Sequence, residues 1–481
     1  MTPGQSQPPD NIRSELENRH RARQLFSFGL AGLAAALVYC AYTANVSDPF
    51  HLYEGMAIFT LAALPALLWA KRGGQQLPVF EVQMITGINA FALPLLSSAE
   101  KLQDYSNDTI GSAAQMVLFY QVIAIVTHAM VKSRAGTTSF YTQEVLSHGI
   151  QKFISAGLVL STIYTFINVF YEGLIPYELN SIFRAAFFGV GLVSTFVEMR
   201  RWGLGELKPG EAVMITFFLL AQIMMQVSTL FLVGGMSIVL LALIGYVSGS
   251  RRIPFIPVAL ALATFGILHN GKSVMRDQYW GEAGGHRQVA LADLGTFFTE
   301  WFSYGLNIQT ESGESKNTAK LVDRTSLLHI LCLIVDETPR LRPYLDGKTY
   351  RQIPEQFIPR FFWPDKPPGH ISTNTLSIYY GLQDEDAASK TTIGFGFIAE
   401  AYANYGFFGV GVIAFLVGLF YKKVQAAAVN CAMLSYAGLF LIVLMAWSFQ
   451  TEYTMSIWLS SFYQACVAVM GIPFLLRNIL G

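Results

Sequence analysis

Apolar runs of about twenty residues recur along most of the chain, and each is long enough to cross the hydrocarbon core of a bilayer as a helix. They fall at 24–44, 50–70, 77–97, 111–131, 150–171, 180–199, 212–232, 235–250, 253–269, 404–421, 426–446 and 456–476. A backbone in lipid finds no water to bond with, so such runs close their hydrogen bonds internally. The expected fold is therefore an all-α polytopic membrane protein with about 12 transmembrane helices. Charge content agrees, because only 13% of residues are charged where a soluble domain carries about 25%.

The charges between the runs give an orientation. With the N-terminus in the cytoplasm, the inner loops hold Lys71-Arg72, Lys132 with Arg134, Arg200-Arg201 with Lys208, Arg251-Arg252, Lys422-Lys423 and Arg477. The short outer loops hold little beyond Lys101. This asymmetry is what the positive-inside rule requires, and it puts both termini in the cytoplasm. Lys+Arg and Asp+Glu balance at 32 each, so no basic field points to nucleic acid as a partner. Cys40, Cys431 and Cys466 lie in or beside apolar runs and Cys332 stands alone in a polar stretch, which implies no disulfide framework.

The same count divides the chain into a cytoplasmic tail (1–23), nine spans (24–269), one long outer loop (270–403) and three final spans (404–481). A loop of that length without a role is uncommon. Within it, 288–308 and 319–337 mix apolar and polar faces and are expected to lie as helices on or partly in the outer membrane surface. Prolines 354, 359, 364, 367 and 368 stiffen the next stretch, from which Arg360, Asp365, Lys366 and His370 project. Arg276, close after the ninth run, and Arg360, in an apolar proline-bounded context, each call for an anion. The run Glu400-Ala-Tyr-Ala-Asn-Tyr-Gly-Phe-Phe-Gly409 then carries a carboxylate and an amide to the membrane boundary.

These strings carry a resemblance. Gly271-Lys272 with Arg276, Thr338-Pro339, Gly347-Lys348-Thr349-Tyr350, Pro359-Arg360-Phe-Phe-Trp363-Pro-Asp365-Lys366-Pro367 and Glu400-x-Tyr402-x-Asn404-x-Gly406-x-x-Gly409 together resemble bacterial Wzy-type oligosaccharide repeat-unit polymerases, the O-antigen and exopolysaccharide polymerases. The likeness is concentrated in residues 265–421. It implies a multi-pass enzyme of the bacterial inner membrane that joins oligosaccharide units carried on undecaprenyl pyrophosphate at the periplasmic face. A chain-length regulator would be a further partner, besides membrane lipid and the lipid-linked substrate.

What the resemblance implies about roles follows from that reaction. Lys272, Arg276, Arg360 and Lys366 would hold the diphosphate, since cations neutralise a departing phosphate. Glu400, His370 and Asp365 are the candidate bases for an acceptor hydroxyl. Trp363, Tyr402 and Asn404 would meet sugars, within a wider set of aromatics that includes Trp280, Trp301, Tyr350, Tyr379 and Tyr380. No metal and no cofactor is expected, because Asp384-Glu385-Asp386 sits in a Gln/Ala/Ser-rich loop that reads as solvated surface, and fixed cations can neutralise the leaving group. Each role has a structural rival: Asp365 can simply pair with a cation, His370 can be a solvated loop residue, and Glu400 can brace a span. Asp48, in the loop after the first run, is an additional acid.

Two other functions remain open from the residues. A glycan ligase uses nearly the same chemistry with a different acceptor. A lipid-linked oligosaccharide carrier or flippase has the same span count, although the polar residues are expected in one outer loop rather than along span interiors.

Overall fold

The computed structural model describes the chain except residues 1–9, 45, 47, 75–76, 98, 133–148, 172–173, 176–182, 231, 281–288, 312–325, 359–361, 364, 430 and 481. Every described regular element is helical. The principal helices are α1 (Asp10–Thr43), α2 (Pro49–Lys71), α3 (Val79–Gly87), α4 (Asn107–Met130), α5 (Gly149–Phe170), α6 (Gly189–Leu204), α7 (Pro209–Ser228), α8 (Leu232–Ser250) and α9 (Phe255–Trp280). They are followed by α10 (Leu294–Glu311), α11 (Leu328–Glu337), α12 (Ile371–Tyr379), α13 (Gly396–Ala427), α14 (Tyr436–Trp447) and α15 (Met455–Leu480). A π-helical segment, Ile88–Ala92, and a last turn, Leu93–Leu96, extend α3.

Seven helices are long and apolar enough to cross a membrane: Arg23–Thr43, Pro49–Lys71, Val79–Leu96, Asn107–Met130, Pro209–Ser228, Phe255–Lys272 and Gly396–Ala427. Shorter apolar helices stand at Ile154–Phe170, Gly234–Ser250, Tyr436–Trp447 and Met455–Gly471. On α9, Phe255, Ile256, Leu260 and Leu262 are all more than 60% exposed. A row of large apolar groups like this is unfavourable in water and at home against lipid, and the chain is a helical, membrane-embedded protein.

Helix starts follow their capping residues. Asp48 accepts from Phe50 N at 2.8 Å with Pro49 in the first turn, Ser106 accepts from Thr109 N at 3.2 Å, and Ser435 accepts from Gly438 N at 3.1 Å. Asp48 is thus occupied as a cap. The main core lies where α3 with its π segment, α4, α11, α13 and α14 meet, and Leu328, Leu331, Ile442 and Leu444 are fully buried there. A smaller core of Leu230, Leu268, Met275, Phe297 and Trp301 joins α9 and α10 to the α7–α8 junction.

The two amphipathic stretches expected in the long loop pack against protein, and residues 312–325 of this loop lie outside the described residues. α10 packs along α9 so closely that a Cβ on Gly305 would stand 2.2 Å from Ile267 O, and the indole of Trp301, with no exposed surface, donates to Leu268 O at 2.6 Å. α11 begins only at Leu328 and is buried between α4 and α13, while Leu327 N donates to Ala90 O in the π segment at 2.9 Å. Both helices bury apolar area against protein, α10 through Phe297 and Trp301 and α11 through Leu328 and Leu331.

Candidate functional site

The site is built where α13 breaks. Tyr405 (φ −143°, ψ 17°) and Gly406 (φ 59°, ψ −147°) leave helical geometry inside α13. The conformation of Gly406 is one that only glycine adopts readily. The chain folds back tightly past the break, so that a Cβ at Gly409 would lie 2.4 Å from Ala401 O. At the end of the first part of α13, the Ala403 carbonyl accepts from Leu345 N at 3.0 Å, which docks the segment 344–352 against it. Gly347, with φ 81°, turns that segment under the Tyr405 ring.

Glu400 and Asn404 lie one turn apart on this first part, and neither has exposed surface. Glu400 Oε2 accepts from Met455 N at 2.6 Å, so the carboxylate sits at the N-terminus of α15, where the helix dipole favours negative charge. Asn404 Nδ2 donates to Thr349 Oγ1 at 2.9 Å and to Glu400 O at 2.8 Å. The Thr349 hydroxyl faces the carboxylate without reaching hydrogen-bond geometry with Oε1. Around them, Ser372 Oγ bonds Gln352 Oε1 at 3.0 Å and Thr373 meets Thr454 at 3.3 Å, tying α12 to the segment 344–352 and to the start of α15. Four buried polar atoms here have no hydrogen-bond partner among the described residues: Glu400 Oε1, Asn404 Oδ1, Tyr350 Oη and Ser456 Oγ.

Aromatic rings form one side of the site. Tyr350 stacks on Tyr405 with centroids 6.4 Å apart and planes 16° from parallel, and Tyr402 meets Tyr344 edge-on at 6.4 Å. Burial pushes the Tyr350 hydroxyl well above the usual phenol range, and the Glu400 carboxylate and Tyr405 push the same way, so it stands as a neutral donor.

The other expected site residues are distributed differently. Asp365 and His370 are exposed, on the turns leading into α12, and neither hydrogen-bonds to Glu400. Lys366 is buried and donates from Nζ to Gln356 O and Ile358 O, both at 2.9 Å, so it staples the proline-rich segment rather than standing open to a phosphate. Arg276 donates from Nη2 to Leu230 O at 3.0 Å at the α7–α8 junction. Lys272 is half-buried on α9 and its charge reaches the Glu452 carboxylate, in the segment whose backbone holds Phe395 and Gly396. Trp363 is half-buried, and Arg360 lies outside the described residues. Asp384, from the acidic triplet, caps the short helix Glu385–Lys390 by accepting from Ala387 N at 2.7 Å.

Polar groups also occur inside apolar helices, contrary to the sequence expectation. Gln425 donates to Glu81 Oε2 at 3.1 Å and meets His128 Nε2 at 2.6 Å, joining α13, α3 and α4. His51 and Glu54, both buried on α2, pair at 3.0 Å.

Glu400, Asn404 and Tyr402 stand out in the sequence, whereas Thr349 and Ser456 do not, and Tyr350 is one aromatic among several. The signal that could have found Thr349 and Tyr350 was the Gly347-Lys348-Thr349-Tyr350 run, a glycine turn followed by hydroxyl groups.

These features define a helical membrane protein with a buried carboxylate–amide–hydroxyl site at a helix break. Residues 100–450 match a family described as Domain of unknown function (DUF8712), and the chain belongs to that family. Glu400, Asn404, Thr349 and Tyr350 all fall within the matched segment. No curated protein and no solved structure matches the chain.

Proposed function

We propose that the protein is a membrane glycosyltransferase of the Wzy type, which polymerises undecaprenyl-pyrophosphate-linked oligosaccharide units at the periplasmic face of the bacterial inner membrane. The observation that carries this reading is the Glu400 carboxylate, held on one oxygen by Met455 N, unbonded on the other, and set among Asn404, Thr349 and Tyr350. A carboxylate so placed can take the proton of an acceptor hydroxyl. The tyrosines supply flat faces against which sugar rings pack. Arg360 and Lys272 remain the candidate holders of the diphosphate. Incubating purified protein with lipid-pyrophosphate-linked repeat units tests the proposal: a ladder of multimers supports it, transfer to a different lipid only supports a ligase, and no transfer overturns both.

The reading includes about twelve spans with both termini in the cytoplasm. Cys431, between α13 and α14, then faces the cytoplasm, while Cys40, Cys332 and Cys466 are buried. A membrane-impermeant maleimide is expected to label the protein in inverted inner-membrane vesicles and not in intact spheroplasts, with the label on Cys431. Labelling from the periplasmic side would invert the topology and remove Glu400 from its substrate.

Transport is the second reading, favoured by the Glu81–Gln425–His128 chain within three helices. Flux of lipid-linked oligosaccharide across proteoliposomes without multimer formation would select it.

A further inference from the structure

The unpartnered atoms at the helix break have a chemical pattern. Glu400 Oε1 and Asn404 Oδ1 can only accept hydrogen bonds from a ligand while Glu400 is ionised, and the Tyr350 and Ser456 hydroxyls can donate. They are held near one another by separate elements: Asn404 bonds the Glu400 carbonyl and Thr349, Tyr350 follows Thr349 and feels the Glu400 charge, and Ser456 follows Met455, whose amide holds the carboxylate. Burying a polar atom without a partner costs stability, roughly 1–3 kcal/mol for each; such atoms occur elsewhere among the described residues, for example Gln121 Oε1 and Thr195 Oγ1, and four of them belong to the residues around this helix break. Adjacent hydroxyls of a sugar ring offer the complement, since each hydroxyl donates once and accepts once. Tyr405, which stacks on Tyr350, is 45% exposed, so Tyr350 lies one ring beneath the surface.

We infer that Glu400 Oε1, Asn404 Oδ1, Tyr350 Oη and Ser456 Oγ form a subsite for a vicinal diol of a glycan, with Tyr350 as a binding residue that donates to the hydroxyl accepted by Glu400. This deepens the proposed function and rests on it for the identity of the diol as the acceptor sugar. The binding claim itself does not require turnover.

The decisive variant is Tyr350→Phe, which deletes the hydroxyl and preserves the ring stacked on Tyr405. If the hydroxyl waits for a ligand, the ligand-free variant in detergent melts at or above the wild-type temperature, because an unmatched buried donor has been removed. Methyl glycosides of common hexoses, which carry vicinal diols, are expected to raise the wild-type melting temperature at millimolar concentration. Their 2,3-dideoxy counterparts are expected to have no effect, and Tyr350→Phe to bind the diol sugars about tenfold more weakly. Ser456→Ala, tested in parallel, is expected to keep its ligand-free stability and lose part of the sugar response.

A fall of several degrees in ligand-free Tyr350→Phe would mean that the hydroxyl is satisfied within the protein or by bound water only, and would overturn the subsite. Equal binding of the dideoxy sugars, or no response of the wild type to any diol sugar, would overturn it as well. The two proposals fail distinguishably: a diol response that depends on Tyr350 without polymer formation removes only the polymerase, and polymer formation with no diol dependence removes only the subsite.

Discussion

Glu400→Gln is expected to leave the protein folded and to lower polymerisation by a factor of about 10² to 10⁴, the range a positioned general base supplies. The amide keeps the shape of the side chain and can still accept from Met455 N, the bond that ties Glu400 to the start of α15. What it loses is the ability to take a proton, so lipid-linked donor should stay bound while turnover stops. Glu400→Ala acts differently, since it also leaves the Met455 amide without its acceptor in a buried site, a loss of about 1–3 kcal/mol. Polymer yield and melting temperature measured together separate the two effects. Full activity in Glu400→Gln would reduce the carboxylate to a brace for α15 and move the search for a base to His370 and Asp365, both exposed on the turns before α12.

The second large effect is expected at Gly406. Its φ of 59° and ψ of −147° lie in a region that only glycine populates, and a Cβ there would stand 2.7 Å from the Tyr344 hydroxyl and 2.9 Å from its Cζ. Gly406→Ala must shift the backbone or displace Tyr344, and a loss of about 2–4 kcal/mol follows from the strain and the collision together. Activity should fall further than stability, because Tyr344 belongs to the segment that carries Thr349 and Tyr350 to Glu400. Thermal unfolding in detergent, compared with polymer yield, measures both. If Gly406→Ala melts like the wild type, the break in α13 is not a required feature of the fold.

The positions of many helices were readable because a membrane helix is written as an uninterrupted apolar run, and seven of the expected runs fall on helices long and apolar enough to cross a membrane. The fate of amphipathic stretches was not readable in the same way. An apolar face states that it will be buried, and nothing in 288–308 or 319–337 says whether lipid or protein will cover it. Lys366 shows the same limit for a cation: its partners are the Gln356 and Ile358 carbonyls, and a backbone acceptor leaves no mark on the residue types around it. At the candidate site, the spacing of Glu400 and Asn404 by one helical turn was local and legible. Their contacts to Met455 and Thr349 each join residues 55 positions apart, and no pattern within a short window encodes such a meeting.

The break at Tyr405–Gly406 divides a helix of 32 residues into parts that answer to different neighbours. Below it, α13 runs along α4, with Phe407 stacked on Phe119 at 3.9 Å. Above it, the few residues that carry Glu400 are tied to the segment 344–352 and to Met455. The boundary relevant to recombining this chain with a relative therefore falls inside an element that looks continuous by length. A graft of 406–427 exchanges a membrane anchor, whereas a graft of 396–405 brings a foreign carboxylate to native partners unless 344–352 and the first turn of α15 travel with it.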